Sequence, residues 1–381
     1  MNKTKRTTML PSWLRNAKML LLTGGLAMTA AACSFGTPEA VPAASEAPAI
    51  QTPAGASPQN PAAPSAHKPS VKSPLTGQET AVSDVMRRPV MVMVNNFASA
   101  RPQSGLSQAD ILLECLAEGD ITRIVAIFQS RMFEEPIGPV RSIRPYFIDI
   151  GQSFHALQVH AGGSPDAYTM ISEKRIEDLD EITNAGPYFW RESFRKAPHN
   201  LYTSLPKLKS GAQKKGYAWE TDNASPAYSF QASSGGAVEA MAGAAAHGPK
   251  VDVTFLSKNY VVSYAYDAQR RIYQRSINGA KHIDLNNQEQ LTATNLVVLG
   301  TDHRVLDSEG RLEVRLTGTG PALVFIRGQV KQVQWKRERT DDLIRLYDGD
   351  KEISFQPGQT HMMMVPLKPD FESHVVYSTN N

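Results

Sequence analysis

A segment rich in proline, alanine and serine, residues 34–72, limits what this chain can fold into because it separates the N-terminus from everything that could form a core. The segment is nearly free of aromatic residues. Such a composition cannot bury enough apolar surface to offset the entropy lost when a chain becomes ordered. We therefore expect residues 33–72 to be a disordered tether. The about 310 residues that follow are expected to form the folded part of the protein.

The residues before this segment have the layout of a secretory leader. Five basic residues and no acid precede Cys33, and the apolar stretch Met19–Leu26 is followed after a short interval by three alanines. The stretch is shorter than the roughly 20 apolar residues that span a bilayer, so the alternative of an uncleaved anchor helix fits less well. We predict a signal peptide over residues 1–32.

The alanine triplet before Cys33 resembles the lipobox of bacterial lipoproteins, in which the cysteine receives a diacylglyceryl group and becomes the first mature residue. Ala30 departs from that pattern, which usually has leucine three places before the cysteine. The resemblance implies that Cys33 is lipidated and anchors the protein to the extracytoplasmic face of the cell membrane, since several acyl chains together give stable attachment.

Removal of the leader changes the charge of the chain. The full sequence has a formal net charge of +3, of which five positive charges lie in the leader, so the mature chain is at about −2. The short basic run QWKRER, residues 334–339, is interpreted as a solvated strand or turn, and nucleic acid is not a predicted partner.

Cys115 lies in an apolar segment and is predicted to be a buried, unreactive thiol. No disulfide, metal or cofactor is predicted.

We predict an α+β fold with two domains, because the remaining chain exceeds what one core usually serves. Residues 73–240 mix strand and helix signals, with helices that begin at Pro145 and after a Ser164 cap. Residues 251–368 are almost entirely strand-like and predict a β-rich domain of barrel-like or sandwich-like form. The Gly- and Ala-rich segment 233–250 marks the boundary.

Long polar side chains and glycines cluster where the predicted elements of the first domain end. A strand that ends in His160 and turns through two glycines into a capped helix presents backbone N–H groups to an anion, and arginines can grip the same anion. The structural alternative is that Ser164 only caps its helix and the arginines pair with nearby acids. The predicted ligand-binding residues are Asn95, Asn96, Arg101, Arg141, Ser142, Arg144, His160, Gly162, Gly163, Ser164, Arg195, His199 and Asn200.

Two other functions remain open from the residues alone. His160 or His199 could act as an acid or base with Asp110 or Glu114 as partner, which would make the protein a cell-wall enzyme. The spacing of the histidines is not that of a metal site, and no nucleophile elbow, Walker loop or zincin helix occurs. A scaffold that binds wall-synthesis proteins needs no such site and predicts that the arginines pair with acids inside the fold.

Eight phrases follow one another along the chain in the order SPLTG, RPVMVMVNN, ARPQSGLSQADILLE, GDITRIVAIFQS, GPVRSIRPYF, VHAGGSPDAY, YFWR and RKAPHNLYTS. Together they resemble the YerB-type bacterial lipoproteins, the domain-of-unknown-function 3048 family, over about Ser73 to Pro366. The resemblance implies a surface-exposed lipoprotein, mainly of Gram-positive bacteria, with no settled biochemical activity. It therefore indicates location better than function, and an anionic cell-wall ligand or a wall-synthesis protein is the expected partner.

A looser similarity links the region around Asn95 to the LytR-CpsA-Psr enzymes, which move glycopolymers from polyprenyl pyrophosphate to the cell wall. The shared features are an apolar strand with a polar end, Arg101 after it, and a later segment with Ser142 and Arg144. Those enzymes bind pyrophosphate with arginines and magnesium with acids, whereas this strand ends in two amides. The similarity implies a hydrolase or phosphotransferase as the alternative to a ligand-binding lipoprotein.

Overall fold

The computed structural model describes residues 70–221, 225–232, 246–247 and 250–378. The predicted signal peptide, Cys33 and the predicted tether lie outside these residues, except that the last three tether residues form the first strand. All described residues belong to one unit of the chain, Ser65–Asn381.

The segment 70–221 contains strands and helices in alternation. Its strands are β1 (Ser70–Lys72), β2 (Glu79–Ala81), β3 (Val90–Asn95), β4 (Ile111–Glu118), β5 (Ile121–Phe128), β6 (Leu157–His160), β7 (Asp178–Asp180), β8 (Trp190–Arg191) and β9 (Leu201–Tyr202). Its helices are α1 (Val82–Val85), α2 (Pro145–Ser153), α3 (Pro165–Lys174) and α4 (Leu205–Lys215). The predicted helix starts at Pro145 and after Ser164 are confirmed.

The described residues from 246 onward are strands joined by turns. They form β10 (Ala246–His247), β11 (Lys250–Thr254), β12 (Val261–Asp267), β13 (Ile272–Ile277), β14 (Ala280–Lys281), β15 (Thr292–Ala293), β16 (Asn295–Val305), β17 (Leu312–Arg315), β18 (Gly318–Ile326), β19 (Gln329–Arg337), β20 (Arg345–Asp348), β21 (Lys351–Glu352), β22 (Thr360–Pro366) and β23 (Val375–Tyr377). The predicted solvated segment 334–339 includes the end of β19, but Trp335 and Arg337 are buried there.

A thirteen-stranded sheet runs through the described part of the chain. Its main order is β21-β20-β19-β18-β16-β22-β4-β5-β3-β6-β7, with β10 beside β19 and β17 beside β16. Strand β22 lies parallel to β16 on one side and to β4 on the other, and it thereby joins strands from the two halves of the sequence. The two-domain division stays a prediction; the sheet itself takes strands from both predicted segments.

The core lies on both faces of this sheet. Along β3, Met91 and Met93 join one apolar cluster while Val90, Val92 and Val94 join the other, as alternation along a strand requires. The first cluster includes α2 and a second sheet of order β14-β13-β12-β11-β23, with β15 beside β13. The second cluster includes α4.

The predicted fold class is confirmed. The described N-terminal half is a mixed α/β region with parallel strands, and the C-terminal half is antiparallel β, although its described strands form open sheets that do not close into a barrel. Cys115 is buried on β4, and burial raises the pKa of its thiol, which fits the predicted unreactive cysteine.

Close approach of three strands explains one glycine. Trp335 on β19 crosses Gly320 on β18 and donates its indole N–H to the Gly300 carbonyl on β16 at 2.8 Å. A Cβ atom at Gly320 would lie 2.5 Å from the indole nitrogen and 2.8 Å from the Gly300 oxygen. Only glycine therefore lets the indole reach its acceptor.

Gly320→Ala is expected to lower the free energy of unfolding by about 1–3 kcal/mol, because the methyl group overpacks this crossing. Urea denaturation measures the change. Thr319→Ala, an exposed position next to it on β18, is the matched control. Equal stability of the two variants would contradict the crossing.

Candidate functional site

The polar ends of β3 and β6 lie at the same edge of the long sheet, because the two strands are parallel neighbours. β3 ends at Asn95 and β6 at His160. The segment with Arg141 lies between these ends: Arg141 N–H donates to the Met93 carbonyl at 2.8 Å, and its own carbonyl accepts from Ala161 N–H at 3.1 Å. This edge, beyond the carboxyl ends of parallel strands, is where α/β folds place ligands.

Asn95 fixes the orientation and tautomer of His199. Its Oδ1 accepts a hydrogen bond from Phe97 N–H at 3.0 Å, so its Nδ2 faces His199 Nδ1, also at 3.0 Å. Since an amide nitrogen only donates, Nδ1 accepts and the proton of the neutral ring lies on Nε2. Burial, with the nearby charges of Arg141 and Arg195, lowers the pKa of His199. The ring therefore offers a neutral N–H donor at pH 7.

Two arginines at this edge have no charged partner. Neither the Arg101 nor the Arg141 side chain makes an ion pair or hydrogen bond with any residue that the structure describes, and the Nε atom of Arg101 is buried without a partner. The Arg101 guanidinium lies over Tyr260, 5.4 Å from the ring centroid. Burial lowers the pKa of Arg141. Both side chains are partly exposed, so an external group can reach them.

The buried arginines of the described chain, in contrast, all have hydrogen-bond or ion-pair partners. Arg123 and Arg144 both pair with Glu118, the first at 2.8 Å. Arg337 donates to backbone carbonyls, and Arg275 pairs with a buried acid. Among the buried and half-buried arginines that the structure describes, Arg101 and Arg141 are the two without a hydrogen bond or ion pair, and Arg144 does not join them in a common site.

Arg195 holds the loop that carries Arg101. Its Nη1 donates to the Ala100 carbonyl at 2.6 Å and to the Tyr202 hydroxyl at 3.0 Å, and its Nη2 donates to the Pro102 carbonyl. Because these two carbonyls flank Arg101, Arg195 acts as a positioning residue for it.

A buried polar network lies behind Asn95 and Asn96. Glu114 on β4 accepts at Oε1 from Asn96 Nδ2 at 3.0 Å and from the Tyr260 hydroxyl at 2.6 Å, and at Oε2 from Arg275 Nη2 at 2.5 Å. Glu114 and Arg275 are each 3% exposed. The ion pair therefore joins the long sheet to β13 in the second sheet, in surroundings where an unpaired charge would be costly.

The network also sets the protonation of His282. Arg275 Nε donates to His282 Nδ1 at 2.9 Å, so the ring proton is on Nε2, which donates to Gln103 Oε1 at 2.6 Å. Gln103 Nε2 in turn donates to Asn96 Oδ1 at 2.9 Å. Burial, and after it the charge of Arg275, lowers the pKa of His282 well below its ordinary value.

The predicted anion site after β6 is filled by the chain itself. His160 is fully buried, with Nδ1 3.0 Å from the Gly162 carbonyl and Nε2 3.1 Å from Asp178. Gly162 N–H donates to Asp180 at 2.7 Å. Burial opposes ionisation of Asp180, but this hydrogen bond and His160 together lower its pKa. A carboxylate of the protein thus occupies the place predicted for an external anion.

Three neighbouring predicted residues have structural contacts. Ser164 Oγ accepts from Ala167 N–H at 3.3 Å and caps α3. Gly163 forms a β-bridge with Ile143. The Ser142 carbonyl accepts from an Arg123 side chain at 2.8 Å.

The predicted acidic partners are also engaged elsewhere. Asp110 is buried and accepts from the backbone N–H groups of Gln129 and Ser130 at 2.6 and 2.9 Å, and burial raises its pKa. Neither Asp110 nor Glu114 bonds a predicted catalytic histidine.

Asn200 donates to the carbonyl of Arg195 at 3.1 Å and shapes the loop before β9. Among the described residues, no group of three or more His, Cys, Asp or Glu side chains is placed to hold a metal ion.

Three residues at this edge lie outside the predicted set. Phe97 stacks on His199 with ring centroids 5.2 Å apart and planes 14° from parallel. Tyr260 lies below Arg101, and Arg275 neutralises Glu114. Phe97 is the one aromatic side chain in the polar phrase NNFASARPQ, which is a faint signal. Tyr260 and Arg275 follow Glu114 by 146 and 161 residues, and nothing in their local sequence marks them.

Fold and site together define a class: an α+β protein whose parallel strand ends carry two arginines without an acid partner. The family described as "Protein of unknown function (DUF3048)" matches with its N-terminal domain over residues 75–218 and its C-terminal domain over residues 251–362. The chain belongs to this family, which confirms the resemblance found in the sequence.

Two comparisons with Bacillus subtilis agree. A protein of strain 168 described as "Putative lipoprotein YerB" is 37% identical over 296 residues, which cover 78% of this chain and 86% of that protein. The crystal structure of the YerB protein from Bacillus subtilis superposes with a TM-score of 0.72 at 35% identity, and the match covers 81% of this chain and 100% of that one.

Arg275→Met is expected to lower the free energy of unfolding by about 3–5 kcal/mol, because it leaves Glu114 as an unpaired buried charge. The double variant Glu114→Gln, Arg275→Met removes both charges and should recover part of the loss. Urea denaturation measures both effects. Arg304→Met breaks an exposed pair with Glu313 and should change stability little. If Arg275→Met lowered the free energy of unfolding no more than Arg304→Met does, the buried pair would not be important for stability.

Acidification is expected to destabilise the protein through His282. Its pKa is far below 6.5 in the folded protein, whereas the unfolded chain takes up a proton as the pH falls through about 6.5. Stability present at pH 7 is therefore lost below that value, by about 1.4 kcal/mol per pH unit for each such histidine.

His282→Gln keeps one hydrogen-bond acceptor and one donor. It should reduce the slope of the unfolding free energy against pH between pH 7 and 5, because about one proton fewer is taken up on unfolding. Urea denaturation at several pH values provides the slope. His155→Gln, at an exposed position, should retain the slope of the parent. An unchanged slope in His282→Gln would rule out this role.

Proposed function

We propose that this protein is a lipid-anchored cell-envelope protein that binds an anionic ligand at a cationic patch formed by Arg101, Arg141 and the Nε2–H of His199. One observation carries the proposal: among the buried and half-buried arginines of the described chain, Arg101 and Arg141 are the two whose side chains make no hydrogen bond or ion pair. A desolvated charge without a partner is unfavourable. A phosphate or carboxylate would supply that partner through charge-assisted hydrogen bonds.

The patch is smaller than the predicted set of residues. Arg144 is left out because Glu118 neutralises it, and the turn at Gly162 is left out because Asp180 fills it. Asn95 orients His199, and Arg195 positions the Arg101 loop.

Ligand binding is better supported than catalysis. Both ring nitrogens of His160 are engaged inside the fold, and Asp110 and Glu114 are buried in other hydrogen bonds. An acid or base must reach the proton that it transfers, and of these candidates His199 alone borders the surface. A pure scaffold predicts that the arginines pair with acids, which Arg101 and Arg141 do not.

The leader and the relative support the proposed location. The predicted lipobox at Cys33 lies outside the described residues, and the Bacillus subtilis relative is described as a lipoprotein. In the part of the chain that the structure describes, helices are too short or too polar to cross a bilayer. The leader pattern and the description of the relative support attachment through lipid on Cys33, at the extracytoplasmic face of the membrane.

Inorganic pyrophosphate is expected to bind the protein, with an affinity that falls as ionic strength rises toward about 0.15 M. The double variant Arg101→Gln, Arg141→Gln should bind at least about tenfold more weakly. Isothermal titration calorimetry measures both. Because the variant removes unpaired charges, its unfolding midpoint in urea should be equal to or above that of the parent.

A charge-matched control is Arg304→Gln, Arg339→Gln, which removes two arginines with side chains 68% and 70% exposed. It should bind pyrophosphate like the parent. Equal loss in the two double variants would mean that only net charge matters, and no loss in either would remove the proposed site.

A further inference from the structure

We propose that the ligand of the cationic patch is a saccharide that carries a phosphate or carboxylate, with a sugar ring seated against Phe97. This inference rests on the proposed anion site and adds to it a surface that recognises a ring. Phe97 and Phe194 are the two side chains that form this surface.

Phe97 is held at the surface instead of in the core. Phe97 is 41% exposed, although its ring is large and apolar. Its backbone is fixed by the hydrogen bond to Asn95, and one face of its ring is stacked on His199. The exposed part of the ring therefore has a fixed orientation beside His199, which belongs to the cationic patch.

Phe194 is a second exposed ring, and it contacts the arginine that holds the Arg101 loop. It is 58% exposed, and the Arg195 guanidinium lies 5.2 Å from its ring centroid. The same guanidinium donates to the carbonyls on both sides of Arg101. Two exposed aromatic rings therefore contact residues of the patch and its supporting loop: Phe97 contacts His199, and Phe194 contacts Arg195.

A sugar ring fits this combination of surfaces. A pyranose has a face of C–H groups that packs flat on an aromatic ring, while its hydroxyl groups stay at the edge in contact with water. A charged substituent on the same ring would reach the guanidinium groups of Arg101 and Arg141. A free inorganic anion would use the arginines alone and leave the exposed rings without a function, and exposed apolar surface of this kind often marks a binding site.

The test compares two probes, N-acetylglucosamine 1-phosphate and inorganic phosphate, by isothermal titration calorimetry. The parent protein should bind the sugar phosphate about tenfold more tightly than phosphate. Phe97→Ala should reduce the affinity for the sugar phosphate to the level of phosphate and change phosphate affinity less than about twofold. Phe97→Leu, which keeps apolar bulk without a flat ring, should behave like Phe97→Ala. Tyr347→Ala, on β20 at the far side of the sheet, is the aromatic control.

The outcomes separate this inference from the anion site beneath it. Equal affinities for the two probes, or equal losses for both in Phe97→Ala, would overturn the saccharide while leaving the anion site in place. Tighter binding of phenyl phosphate than of the sugar phosphate would also overturn it, since the surface would then select aromatic anions. Binding of neither probe, or undiminished binding in Arg101→Gln, Arg141→Gln, would instead overturn the anion site.

Discussion

The buried ion pair between Glu114 and Arg275 is the interaction on which the rest of this structure depends. It joins a central strand of the long sheet to the second sheet, and its hydrogen bonds admit one assignment of donors and acceptors. From Arg275 that assignment passes through His282 and Gln103 to Asn96, at the end of β3. Because Asn96 begins the loop that carries Arg101, the network that stabilises the sheets also sets the geometry of the patch.

Much of the fold follows from local sequence. Helix starts at Pro145 and after Ser164, and the alternating strands of the C-terminal half, depend on capping chemistry and on a period of two, which are visible within a few residues. The phrase THMMMVP of β22 has no such alternation, since all its residues are buried. Its position between β16 and β4 is a long-range pairing, which no local pattern specifies.

The candidate site shows the same division. Asn95, Arg101, Arg141 and His199 could be proposed as candidates because long polar side chains occur at strand and loop ends in the sequence. Whether an arginine has an acid partner depends on residues that the fold brings near it. Sequence alone therefore does not distinguish Arg141, which has no partner, from Arg144, which pairs with Glu118. The turn after His160 has the composition of an anion site, but a carboxylate from β7 fills it.

The position of β22 also has a consequence for how the chain reaches its native state. Strand β4 gains its partner on one side only when residues 360–366 arrive, almost 250 residues later along the chain. Until then a long, apolar strand has an open row of backbone donors and acceptors, which is a template for pairing with another molecule. A chain made from its N-terminus forward therefore has this strand open to association until residues 360–366 are available, and the N-terminal family segment by itself carries an unfinished edge.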